Sequence, residues 1–123
     1  MEDHPDLRAA LRDALLEAGY EVSEAGDGES GLAALAESHF DAAVVDVRMP
    51  RLDGFGLLEQ MRIQEIDCPV VLASVVADVV SRRRATSLGV VAFHQKPFPL
   101  EALLADLERA IAAGHSRNRA PAT

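Results

Sequence analysis

Three short apolar runs, each leading to a residue with usable chemistry, constrain this chain more than any other feature. Ala42-Ala43-Val44-Val45 stops at Asp46, Pro69-Val70-Val71-Leu72-Ala73 stops at Ser74, and Val90 to Phe93 leads to Lys96-Pro97. Continuous apolar runs of this kind are typical of strands buried on both faces of a parallel sheet. Between them lie segments of helical period. Leu7, Ala10, Leu11, Ala14, Leu15 and Ala18 recur at three- and four-residue steps, and Gly19 follows as a stop. Leu32, Leu35 and Ala36 mark a second helix with Asp27 and Ser30 as candidate caps. Phe55, Leu57, Leu58, Met61 and Ile63 mark a third after Gly54, and a polar segment around Arg82-Arg83-Arg84 marks a fourth that stops near Gly89. Leu100, Leu103, Leu104, Leu107 and Ile111 make the last. Tyr20 to Ala25 alternates, with Val22 between Glu21 and Ser23, and reads as a half-exposed strand. The order α-β-α-β-α-β-α-β-α implies an α/β fold with parallel strands and helical crossovers.

Composition narrows the chemistry. A chain of 123 residues fits one domain and leaves no room for separate substrate and cofactor halves. The net charge of −8 argues against direct nucleic-acid binding and against an acidic membrane surface, both of which need clustered Lys and Arg. That charge is uneven: residues 1–67 carry −11 and residues 68–123 carry +3, so a cation site is expected in the front half. The single cysteine, Cys68, excludes an internal disulfide and a thiolate zinc cage, and suits a cytoplasmic setting. No apolar run approaches the about 18 residues of a membrane span, and Met1-Glu2-Asp3 cannot begin a signal peptide. Residues 1–113 are expected to form the domain. Residues 114–123, polar and Pro/Ala-containing from His115, form a tail or the start of a linker.

Ligands of open parallel sheets sit beyond the carboxyl ends of the strands. Those ends would gather Asp46, Ser74 and Lys96, with Glu2 and Asp3 at a comparable position before the first helix. A carboxylate, a hydroxyl, an ammonium and further acids on one rim suit phosphoryl chemistry with a divalent cation. Lys96 is the only lysine of the chain, and the following Pro97 restricts its backbone and is a candidate cis bond.

Other patterns carry less. Gly26-Asp27-Gly28-Glu29-Ser30-Gly31 matches the letter of a dinucleotide fingerprint, but Glu24, Asp27 and Glu29 would repel a pyrophosphate. An aspartyl phosphotransferase of the haloacid-dehalogenase type wants Asp-x-Asp, and Arg48 stands at the second position. A run of arginines at 82–84 is more often a solvated or partner-facing surface than a nucleic-acid patch. His4, His39, His94 and His115 lack metal-ligand spacing.

Together, Glu2-Asp3, Asp46-x-x-Met49-Pro50-x-x-Asp53-Gly54, Ser74 and Lys96-Pro97-Phe98 resemble the receiver domain of bacterial two-component response regulators. The resemblance covers residues 2–113 and implies a flavodoxin-like doubly wound sheet in strand order 2-1-3-4-5. It implies Asp46 as phosphoacceptor, and Mg²⁺ held by Glu2, Asp3, Asp46 and the Arg48 backbone carbonyl. Lys96 would contact the phosphoryl group, Ser74 would be the switch hydroxyl and Phe93 the aromatic switch residue. Phosphorylation would then repack the face of helix 4, strand 5 and helix 5. The implied partners are a histidine kinase or phosphotransfer protein, an output domain or downstream protein, and, as a further option, a second copy in a homodimer. Three departures from the family pattern stand out. Only Met1 remains of its first strand, so strand 1 is expected to be missing or truncated. Val75 follows the switch serine, where its branched side chain is expected to narrow access to Asp46. Val76 leaves the helix-4 face unusually apolar. The first departure motivates an alternative: a pseudo-receiver acting as a phosphorylation-independent interaction or dimerisation module. A small phosphatase or a dinucleotide-binding enzyme is the distant third.

Overall fold

The structure, a computed structural model, describes Met1 and residues 5–119, with side chains to residue 113. Its elements are α1 (Pro5–Glu17), α2 (Gly28–Glu37), β1 (Ala43–Asp46), α3 (Gly54–Ile63), β2 (Val70–Ser74), α4 (Val79–Ser87), β3 (Ala92–Gln95) and α5 (Leu100–Arg119). The last helix thus runs past the boundary at 113 read from the sequence. The strands form one parallel sheet in order β1-β2-β3. Ala43 pairs with Val70 and Asp46 with Ala73, while Val71 pairs with Ala92 and Ser74 with Gln95.

β2 lies between the other two strands and is buried at all five positions, which is why its sequence is an uninterrupted apolar run. Alternation sends its side chains to two cores. Val71 meets Leu11 of α1 and Leu103 and Leu107 of α5 on one face. Val70 and Leu72 join Leu35, Val45, Phe55, Leu57, Leu58 and Met61 on the other, under α2 and α3. The layering is helix–sheet–helix.

Local chemistry sets the helix ends. Asp27, Asp53 and Asp78 cap α2, α3 and α4, each accepting the N–H three residues on, from Ser30, Gly56 and Ser81 at 2.7–2.8 Å. Of the two cap candidates in the sequence, Asp27 is the N-cap; Ser30 lies inside α2 and donates its hydroxyl to Asp27 at 3.1 Å. Gly19, with φ of +94°, takes the left-handed turn that ends the α1 region.

The fold is the expected flavodoxin-like α/β architecture, with one correction. Residues 20–25 are not a strand: among the described residues they join no ladder. In the order 2-1-3-4-5 the second strand pairs only with the first, and along the outer edge of β1 the described partner is Met1. Its ammonium donates to the Val44 carbonyl at 2.6 Å, and its carbonyl accepts the Asp46 N–H at 2.9 Å. One residue on that edge cannot present a strand's length of donors and acceptors to residues 20–25. Among the described residues, no helix is long and apolar enough to cross a membrane.

Candidate functional site

Parallel register brings the three strand ends to one rim. Asp46 closes β1, Ser74 closes β2, and Lys96 follows the last residue of β3. The Lys96 N–H donates to the Ser74 carbonyl at 2.8 Å, extending the β2–β3 ladder to the lysine itself. The Lys96–Pro97 peptide is cis, as the sequence suggested. The lysine's Nζ lies 3.1 Å from Asp46 Oδ2.

Asp46 is only 5% exposed. A carboxylate so withdrawn from water is costly unless compensated, and the ammonium supplies the compensation. Its other oxygen, Oδ1, accepts the Arg48 N–H at 3.4 Å. Ser74 is buried, and its Oγ accepts the Val76 N–H at 3.1 Å, so the hydroxyl is engaged with the loop that leaves β2.

The loop from Val47 to Asp53 closes over the tip of β1. Gly54 N–H donates to Val47 O at 2.8 Å, and Gly28 N–H reaches Pro50 O at 3.4 Å. Met49 is buried, anchoring the loop into the core. Gly54 lies close against the tip of β1: a Cβ there would lie 2.7 Å from the Asp46 carbonyl oxygen and 2.9 Å from Val47 Cα. An open cleft of about 610 Å³ lies beside the rim, lined by Arg48, Pro50, Asp53, Ser74 and Val76 among others.

Asp46 and Lys96, singled out in the sequence, therefore meet, and Ser74 ends the strand that lies between theirs. Glu2 and Asp3 lie outside the described residues. Of the residues the resemblance implies for a cation, Asp46 brings its carboxylate to the rim and Arg48 lines the cleft beside it. Among the described residues, no group of three or more His, Cys, Asp or Glu side chains stands close enough to hold a metal. Val75 does not narrow the site: it is 53% exposed and turned to solvent, while Val76 lines the cleft. The apolar face at the start of α4 is real, with Val75, Val76, Val79 and Val80 all exposed.

Phe93 sits on β3, partly buried against the core under Val70 and Leu72. The Arg82 guanidinium covers its ring at 5.2 Å, and Arg82 Nε donates to the Ala77 carbonyl at 3.2 Å. The arginine run is thus partly spent on aromatic contacts, since Arg84 lies 4.6 Å over Phe55. Residue reading missed two features. Gly54 shapes the site through the space it leaves, which a letter in a motif does not display. His94 pairs with Asp106 of α5 at 2.5 Å and packs on Phe98, tying β3 to α5. Burial pushes its imidazole below the ordinary value. A helical acid twelve residues downstream of a strand histidine gives no spacing signal.

The arrangement offers a carboxylate fixed at a strand tip, an ammonium against it, a neighbouring hydroxyl and a cleft beside them. That is suited to accepting a compact anionic group on the carboxylate and neutralising it as it arrives.

Comparison with known proteins gives a consistent result. A family model described as the response regulator receiver domain matches residues 1–108. The C4-dicarboxylate transport transcriptional regulatory protein DctD of Pseudomonas aeruginosa is 38% identical over 90% of this chain and 24% of its own length. The probable transcriptional regulator ycf27 of Porphyridium aerugineum is 32% identical over 98% of this chain and 51% of its own length. The chain thus spans about half, or less, of the curated relatives it matches. Among solved structures, the non-phosphorylated HemR receiver domain from Leptospira biflexa superposes with a TM-score of 0.82 at 32% identity, covering 90% of both chains. The receiver domain of the sensor histidine kinase PA1611 from Pseudomonas aeruginosa, which holds a magnesium ion in its active-site cleft, superposes with a TM-score of 0.82 at 27% identity, covering 91% of this chain and 93% of its own.

Proposed function

Because the chain belongs to the receiver-domain family of response regulators, we propose that Asp46 accepts a phosphoryl group from a histidine kinase or phosphotransfer protein. The observation that carries this reading is the buried Asp46–Lys96 pair at the strand ends, 3.1 Å apart.

In the transfer, an Asp46 carboxylate oxygen attacks phosphorus of the donor phosphohistidine. The P–O bond forms as the P–N bond breaks, and its electron pair leaves with the imidazole nitrogen. Lys96 exchanges its carboxylate contact for one to a phosphoryl oxygen, so its charge stays paired throughout. Mg²⁺ would be held by the Asp46 carboxylate together with the Arg48 carbonyl, Glu2 and Asp3 that the resemblance implies; when bound it would supply positive charge to the phosphoryl oxygens. Hydrolysis of the aspartyl phosphate by water regenerates the carboxylate, so the signal limits itself and the protein is not a turnover enzyme on a separate substrate.

Ser74 and Phe93 are the readout. Drawing Ser74 Oγ to the phosphoryl group takes it from the Val76 N–H and loosens residues 75–78. The face of α4, β3 and α5 then changes through Phe93. This face serves an output domain or downstream protein, or a second copy in a homodimer. In this reading residues 1–113 are the domain, residues 114–123 are a tail or the start of a linker that α5 enters, and a cytoplasmic setting suits its partners. Intact mass before and after a small-molecule phosphodonor with Mg²⁺ tests the reading. One phosphoryl group should be gained by the wild type and none by Asp46→Asn; equal gain by both would sink the assignment.

The second reading, a phosphorylation-independent interaction module, draws on the outer edge of β1, where among the described residues Met1 alone pairs. A folded protein that neither binds Mg²⁺ nor gains phosphoryl would favour it.

A further inference from the structure

In α4 a single residue, Ala85, is buried. Around it Arg82, Arg83, Arg84, Thr86 and Ser87 are all exposed, so three consecutive cations lead into two hydroxyls in the last turn. In a chain of net charge −8 this run is a local reversal of sign. The helix ends at once: Gly89, with φ of +78°, turns the chain two residues past Ser87. A terminal turn held by one buried side chain opens more readily than a helix centre, which lets the segment extend into another protein's cleft.

The two hydroxyls have different surroundings. Thr86 lies one turn beyond Arg82, whose guanidinium is committed to the Ala77 carbonyl and to the Phe93 ring. Ser87 lies four residues beyond Arg83 and three beyond Arg84, so it shares their side of the helix. Arg84 reaches α3, 4.6 Å over the Phe55 ring and 2.9 Å from Glu59. From α3, Arg62 Nη2 donates to the Ser87 carbonyl at 3.0 Å. Ser87 Oγ donates to the Arg83 carbonyl at 3.0 Å and is exposed at the centre of this arginine group. Glu59 is the acid among them and is already joined to Arg84.

We propose that Ser87 is a phosphorylation site for an arginine-directed serine kinase, and that Arg62, Arg83 and Arg84 hold the phosphoseryl group. The arginines at 82 and 84, five and three residues before the acceptor, offer an acidic kinase cleft a charge pattern to select. In the transfer, Ser87 Oγ attacks the γ-phosphorus of a nucleoside triphosphate. The new P–O bond forms as the bond to the nucleoside diphosphate breaks, and the hydroxyl proton passes to the kinase's catalytic carboxylate. A dianion at a helix C-terminus opposes the dipole, and the guanidiniums from two helices offset that with charge-assisted hydrogen bonds. The product is an ester tying the end of α4 to α3. The proposal stands apart from phosphoryl transfer to Asp46 and does not need it.

The probe is purified protein kinase B, which selects arginines three and five residues before its acceptor, applied to the full chain with Mg²⁺ and ATP. Intact mass should show one phosphoryl group that survives hydroxylamine, a reagent that strips acyl phosphates and spares esters. Fragmentation should place it on Ser87. Asp46→Asn should gain it equally, and Ser87→Ala should lose it. A chain left unmodified would refute the proposal, as would undiminished gain in Ser87→Ala, which would make Thr86 the acceptor. Phosphorus NMR of the modified protein then tests the arginines. The phosphoseryl group should titrate roughly one pH unit lower in the folded protein than in urea. Arg62→Gln should remove a measurable part of that difference. Identical titration in the folded protein and in urea would overturn the assignment of the arginines.

Discussion

Replacing Gly54 by alanine tests whether the site depends on close approach of α3 to the tip of β1. The added Cβ would sit 2.7 Å from the Asp46 carbonyl oxygen and 2.9 Å from Val47 Cα, both backbone atoms. β1 cannot retreat easily, because Val45 is fully buried and the strand is laddered to β2. Overpacking of this kind costs about 1–3 kcal/mol, and contact with backbone places it at the upper end. Alanine returns up to about 1 kcal/mol of helix propensity. The net loss is about 2 kcal/mol, a fall in Tm of roughly 8 °C at about 4 °C per kcal/mol for a domain of this size. The strain falls on the loop that carries the Gly54–Val47 and Arg48–Asp46 hydrogen bonds, so phosphoryl acceptance should slow as well. Gly56→Ala is the control. Its Cβ would meet Leu52 Cδ1 at 2.9 Å and Asp53 Oδ1 at 3.3 Å, side-chain ends that can move. Its Tm change should be less than half as large. Calorimetry and phosphodonor mass kinetics on the three proteins are the assay. If Gly54→Ala melts at or above the wild-type temperature with an unchanged transfer rate, the close approach has no mechanical role and the argument fails.

Lys96→Met removes the ammonium from a buried carboxylate and should cost about 3 kcal/mol in urea denaturation. Adding Asp46→Asn should recover part of that loss; strictly additive losses would mean the pair is not coupled. Burial, then the nearby Asp67 and Asp41 charges, push the Cys68 thiol up to about 11. Alkylation at pH 8 should therefore be roughly a hundredfold slower in the folded protein than in urea, and equal rates would contradict that burial. Because burial lowers the His94 pKa, the unfolded chain holds the extra proton as pH falls below about 6.5. Stability is full above that pH and is lost below it, with a slope of at most about 1.4 kcal/mol per pH unit for one proton. A Tm profile from pH 5 to 8 should show this fall in the wild type and a flatter curve in His94→Gln; identical curves would remove His94 as the cause.

Much of the fold was legible because its signals are local. The β2 run is apolar throughout because both its faces are buried, Asp46 and Ser74 each interrupt an apolar context at a strand end, and Lys96 is the chain's only lysine. Residues 20–25 alternate as a strand should, yet pairing is a property of the neighbour, and alternation says nothing about whether one is present. Asp78 caps α4 by the same bond as Asp27, but the apolar residues around it hid the signal. Val75 was read by its place after Ser74, whereas its direction follows from the turn that hands Val76 N–H to Ser74 Oγ. The His94–Asp106 tie joins two elements whose adjacency exists only once the sheet is built.

Arg82 works as a strut. One rigid plane is fastened at its Nε to the loop after β2 and leans with its face on a ring of β3. Loop and ring cannot shift independently while it holds, and a stacking energy of about 0.5–1 kcal/mol sets the leverage at a few-fold change in populations. Lysine at the same place would keep the charge and lose the plane. Of three adjacent arginines that look interchangeable in the sequence, this one joins the loop after β2 to a ring of β3.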